Sequence, residues 1–159
     1  MTNYGAQLTT AVNATELTFL GGSKIRILVD GEQTNGRACI LEYTAQPNGA
    51  FDHFARHEFV EIFHVISGTL MFHFIDDEEP LALVAGDVVS VPSYVPHGFW
   101  NGGEETAVIH ITCAPSGLDQ FFIESHALLN QMPPSDERTR RLFALRDKYG
   151  IEWVEKKRP

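Results

Sequence analysis

Short runs of β-branched and aromatic residues recur along the middle of the chain: KIRILVD, RACILEYTA, EIFHVISG, TLMFHFI, LALV, DVVSVP, HGFW and AVIHITCA. Each run is closed by Gly, Asn, Asp or Pro, as in DGEQTNG, so the pattern predicts closely spaced antiparallel strands rather than parallel strands with crossover helices. Within EIFHVIS, strand alternation sends Glu61, Phe63 and Val65 to one face and Ile62, His64 and Ile66 to the other. After Pro115 the spacing changes. LDQFFIESHALL and SDERTRRLFALRDKYG carry helical periodicity, with Ser135 placed as N-cap, Leu142, Leu145 and Tyr149 on one face, and Gly150 as the stop. Pro133 and Pro134 separate the two helices. The pattern as a whole predicts one all-β body with short C-terminal helices, a barrel core over about 19–115 and a helical segment over about 116–159.

Length and charge narrow the partners. A chain of 159 residues suffices for one domain that folds without staples, so 1–159 is read as a single domain. The formal net charge of -9 repels phosphate backbones and anionic membrane surfaces, which argues against nucleic acid and membrane as partners. Cys39 and Cys113 lie in apolar runs without metal-like or disulfide-framework spacing and read as reduced core residues. With no basic leader followed by an apolar core, and no apolar run of spanning length, a soluble cytoplasmic protein is expected. Asn13-Ala14-Thr15 is then a chance glycosylation sequon.

The densest candidate chemistry is FDHFARHEFVEIFHVISG, residues 51–68. His57 shares the parity of Glu61, and His53 does so as well if the strand is regular. Imidazole nitrogens and a carboxylate on one inner face suit a divalent transition metal and leave positions open for a substrate or dioxygen. The same residues also fit two rim histidines and a surface acid. His64 has the opposite parity and is expected to face outward, and His126 to lie on a helix surface. His73 and His110 sit in apolar strands as structural histidines or as replacement ligands. The aromatic residues around this stretch, Phe51, Phe54, Phe59, Phe63, Phe72, Phe74, Phe99 and Trp100, fit an apolar substrate cavity or plain core packing.

A second segment, GDVVSVPSYVPHGFWN over 86–101, places Gly86, Pro92, His97 and Asn101 at fixed offsets, while Glu61 and Gly68 stand six residues apart in the first. This pair of segments resembles the two motifs of the cupin superfamily. FLGGSKIRILVDGEQTNG, APSGLDQFF and DKYGIEWV are similar to small, single-domain, quercetin 2,3-dioxygenase-like cupins. The resemblance implies an antiparallel double-stranded β-helix, the cupin or jelly-roll barrel, with one divalent transition metal (iron, manganese, nickel, copper or zinc) inside it. It carries Glu61 and His97 over as ligands directly. The family's His-x-His is incomplete here: His57 is preceded by Ala55 two positions earlier, and an alignment with one extra residue pairs His53 with the first family histidine and Ala55 with the second. His57 would complete a three-ligand site, and His53 could add a fourth. Tyr94 stands where the second motif usually has glycine, and is read as a surface turn residue.

Two functions follow from the resemblance. One is a metal-dependent oxygenase acting on a hydroxylated aromatic, flavonoid or polyketide-like molecule, with His57, Glu61 and His97 at the reacting centre. The other is a non-redox cyclase or isomerase of polyketide-type intermediates, or a small-molecule binding protein, in which the same residues transfer protons or shape the pocket. A sugar-nucleotide epimerase lacks basic residues to hold a diphosphate. Small cupins commonly pair through β-strands, so a homodimer is expected.

Overall fold

The computed structural model describes residues 5–155. Its strands are β1 (Thr15–Thr18), β2 (Lys24–Val29), β3 (Cys39–Ala45), β4 (Phe54–Arg56), β5 (Val60–Ser67), β6 (Thr69–Phe74), β7 (Leu81–Val84), β8 (Val88–Val91), β9 (His97–Trp100), β10 (Ala107–Ala114) and β11 (Glu152–Val154). The helices are α1 (Leu118–Gln131) and α2 (Asp136–Lys148). Two antiparallel sheets form, a six-stranded one in the order β1-β2-β3-β10-β5-β8 and a five-stranded one in the order β11-β4-β9-β6-β7. This arrangement is a double-stranded β-helix.

Alternation decides which residues line its interior. On β5 the side chains of Glu61, Phe63 and Val65 are buried while Ile62, His64 and Ile66 are exposed, and on β10 Ala107, Ile109, Ile111 and Cys113 turn inward. From the opposite sheet, Leu70 and Phe72 of β6 close the core, with the Phe63 and Phe72 rings 5.1 Å apart edge to face. The turn after β5 depends on glycine. Gly68 has φ +77°, and a Cβ there would lie 2.7 Å from Ala107 Cα and 2.8 Å from Thr106 O, closer than any side chain tolerates.

Two features shape the surroundings of the site. Instead of one continuous strand over the first motif, β4 ends at Arg56 in one sheet and β5 begins at Val60 in the other, with a bend over 57–59. His57 therefore sits at the corner between sheets. The C-terminal segment also departs from a purely helical ending, because β11 returns to pair with β4, fastened by Arg56 Nη2 to Glu152 Oε2 at 2.7 Å. Between them, α2 is capped by Ser135, whose side chain accepts from the Arg138 amide, and Gly150 follows at φ +65°. Asp119 ties α1 to the barrel: its carboxylate accepts from the Gly31 and Gly117 amides at 2.8 and 3.0 Å. Among the described residues, no helix is long and apolar enough to cross a membrane.

Candidate metal centre

His57, from the corner between β4 and β5, Glu61 on β5 and His97 at the start of β9 converge inside the barrel. All three are buried, and one ligand atom from each lies within 4.8 Å of the others. His57 Nε2 is 2.9 Å and His97 Nε2 2.8 Å from the same oxygen, Glu61 Oε2. The far side of each ring is fixed too: His57 Nδ1 is 2.9 Å from the Phe59 carbonyl and His97 Nδ1 2.9 Å from the Val95 carbonyl. The bend that contains Phe59 thus orients His57 twice, since the two rings also stack at 3.7 Å. Tyr94 N donates to the His57 carbonyl at 2.7 Å, anchoring the corner to the β8–β9 turn.

The hydrogen-bond arithmetic bears on what the cluster could hold. A carbonyl oxygen accepts only, so each Nδ1 carries a hydrogen, and a neutral imidazole then presents a bare lone pair at Nε2. Two lone pairs facing one carboxylate oxygen repel unless protons or a cation lie between them. Two Nε2 donors and an anionic oxygen aimed at one another, with each Nδ1 held by a backbone acceptor, form the donor set and outer support of a transition-metal site. The residues therefore fit a divalent metal. With protons between them, the burial that alone would raise the Glu61 carboxyl is outweighed by hydrogen bonds from His57 and His97, which hold the group below the usual carboxylate range. An anionic Glu61 is suited to ligation.

The remaining histidines lie elsewhere. His53 is outside the group: its Nδ1 lies 2.9 Å from Asp52 Oδ2 and its ring rests against Trp153 at 4.0 Å, at the wall of the cavity. Ala55, aligned with the second family histidine, pairs directly with His97 across β4 and β9 and lines the same cavity, so the position faces the site without a donor. His64 is exposed on the outer face of β5, opposite His110. His110 is turned the same way and paired to Glu42 at 3.0 Å, while His73 Nε2 meets the Asp77 carbonyl at 3.2 Å. Neither replaces the missing ligand. His126 packs edge-on against Phe19 at 5.6 Å rather than standing free on the helix surface. Tyr94 is an exposed turn residue with φ +62°, which explains why a glycine suits that position. Asn101 is structural: its buried amide donates to Ala45 O and Glu105 O at 3.0 and 2.7 Å.

Above the cluster opens a cavity of about 690 Å³, the size of a drug-like ligand site. Its walls include Tyr43, Phe99, Phe121 and Phe122, with Trp100 and Trp153. No lysine or arginine is among its described lining residues. Trp153 arrives on β11, a strand too short to be recognised from its three residues.

Comparison with known proteins bears on the fold. Residues 41–113 match the cupin domain family. The polyketide cyclase RemF from Streptomyces resistomycificus superposes with a TM-score of 0.61 at 18% identity, covering 70% of this chain and 80% of that one. An RmlC-like cupin from Shewanella frigidimarina NCIMB 400 gives 0.59 at 20% identity over 72% and 96% of the two chains. The Fe(II) form of HppE gives 0.57 at 17% identity, over 72% and 62%. At these identities the likeness establishes the fold. No curated protein matches the sequence.

Proposed function

We propose, from the match of residues 41–113 to the cupin domain family and from a barrel that gathers two histidines and one glutamate, a metal-dependent oxygenase of the quercetinase-like kind. Its substrate would be an uncharged hydroxylated aromatic, flavonoid or polyketide-like molecule. The observation that carries this reading is the convergence of His57 Nε2 and His97 Nε2 on Glu61 Oε2 at the floor of an apolar cavity. Two histidines and one carboxylate with open positions are the ligand set of non-haem oxygenases. A bound divalent metal would supply Lewis acidity toward a phenolic or enolic oxygen and, if redox-active, electron transfer with dioxygen.

The chain's own residues do the rest. His57, Glu61 and His97 would hold the metal, with the ring planes set in advance by the Phe59 and Val95 carbonyls. Tyr43, Phe99 and Phe122 offer flat apolar surface for an aromatic substrate and exclude water from the reacting oxygen. The lining bears on the charge class. A carboxylate or phosphate buried here would find no lysine or arginine and could pair only with the metal, so charged groups elsewhere on a substrate would go unpaired, at a cost. That also disfavours a sugar-nucleotide substrate.

The alternative is a non-redox cyclase or isomerase; RemF, among the similar structures, is a polyketide cyclase. It is favoured by Ala55, which leaves the site one histidine short of the resemblance. Metal content after growth in iron, manganese, nickel, copper or zinc, followed by oxygen uptake with neutral catechols and flavonols, separates the two. About one equivalent of a redox metal, with uptake that is faster for neutral substrates than for their carboxylated analogues, is the expected result. Turnover of a polyketide-type substrate without oxygen consumption would replace the oxygenase by the cyclase.

A further inference from the structure

The cluster uses one oxygen of Glu61 for both histidines and leaves the other to a thiol. Glu61 stands directly opposite Cys113 across β5 and β10, and Cys113 directly opposite Cys39 across β10 and β3. All three side chains point inward, and both cysteines are free and have no exposed surface. Cys113 Sγ lies 3.8 Å from Glu61 Oε1 and donates to it, the donor that the described residues give this oxygen. We propose that Cys113 is a positioning residue of the metal centre: its thiol holds Glu61 Oε1 so that Oε2 stays aimed at the two histidines.

The physical basis is rotational. A carboxylate bound at one oxygen can turn about its terminal torsion, which is broad and roughly two-fold. The surroundings of Oε1 supply the second fixed point, because β10 packs against β5 along the whole strand and presents the sulfur at the level of Glu61. Cys39 faces Cys113 from the other neighbouring strand, β3. Outer partners of metal-bound groups commonly alter metal affinity by about 10–100-fold when removed.

This inference rests on the metal-site reading, and one experiment separates the two. Full-length wild type, Cys113→Ala, Cys113→Ser and Cys39→Ala are titrated with Co(II), with affinity and the visible absorption spectrum read together and folding checked by circular dichroism. Cys113→Ala is expected to bind about 10–100-fold more weakly with an altered spectrum. Cys113→Ser, which restores a donor, should return both toward wild type, and Cys39→Ala, which keeps the thiol that meets the carboxylate, should have a smaller effect than Cys113→Ala. If Cys113→Ala does not fold, Cys113→Val fills the space without a donor and gives the same readout. Wild-type affinity and spectrum in the donorless variant would overturn the role of Cys113 alone. Failure of the wild type to bind Co(II) or Zn(II) would overturn the metal site and this role together.

Discussion

Each candidate ligand is defined by what holds its far side. His57 and His97 are pinned through Nδ1 to carbonyls at 2.9 Å, whereas His53 leans on an exposed aspartate and a tryptophan. His57→Ala, Glu61→Ala and His97→Ala are therefore expected to lose bound metal on dialysis, while His53→Ala and His64→Ala retain it. Metal analysis by mass spectrometry reads this directly. Ala55 offers the converse test. Because it pairs with His97 and faces the cavity, Ala55→His should tighten metal binding by about tenfold or more, roughly 1.4 kcal/mol per decade, in a chelator competition. Glu61 also sets a pH dependence in the metal-free protein. Its carboxyl is held low in the fold, so its contribution is complete above the unfolded value of about 4.3 and disappears as pH falls through the folded one. Thermal melts of wild type should drop over that acid range, more steeply than those of Glu61→Gln.

At the scale of elements, the site depends on turns more than on strands. The bend over 57–59 moves the chain from one sheet to the other and lets His57 and Glu61, four positions apart, reach the same point. Gly68 ends β5 at φ +77° with no room for a Cβ against Ala107. Gly68→Ala should destabilise by about 2 kcal/mol or more, combining left-handed strain with the clash, and a lowered Tm with reduced soluble yield would register it. β11 is the other decisive element. It brings Trp153 to the cavity, and the Arg56–Glu152 pair that accompanies it is exposed and adds little stability itself.

For the whole molecule, the outer face of the six-stranded sheet carries the remaining question. Ile62 and Ile66 are each 40% exposed and Val88 58%, around the His64–His110 pair. We propose this face as the contact of the expected homodimer, since apolar side chains in a patch mark association surfaces. Sedimentation of wild type should give twice the mass of a 17.8 kDa chain, and Ile62→Lys combined with Val88→Lys should give the monomer with the metal retained. The charge of -9 has a consequence at the same scale. It adds a general long-range repulsion of anions to a cavity whose described lining includes no lysine or arginine.

Much of this molecule was legible in its order of residues. Period-two alternation, with turn residues at each break, determined eight of the strands and which side of β5 faces inward, because a strand has only two faces. Helix periodicity with Ser135 and Gly150 determined α2 for a similarly local reason. The spacing of Glu61, Gly68, Gly86, Pro92, His97 and Asn101 determined the motif pair. β4 and β11 span only three residues, too few to show alternation, and β1, TELT, carries a single apolar residue among polar ones. Only the tertiary structure decided that His57 joins the cluster and His53 does not, because the bend between sheets overrides strand parity. It alone decided that Cys113 lies against Glu61: local composition marks a cysteine as apolar, whereas its neighbour is chosen by the register of two strands about fifty residues apart in the chain.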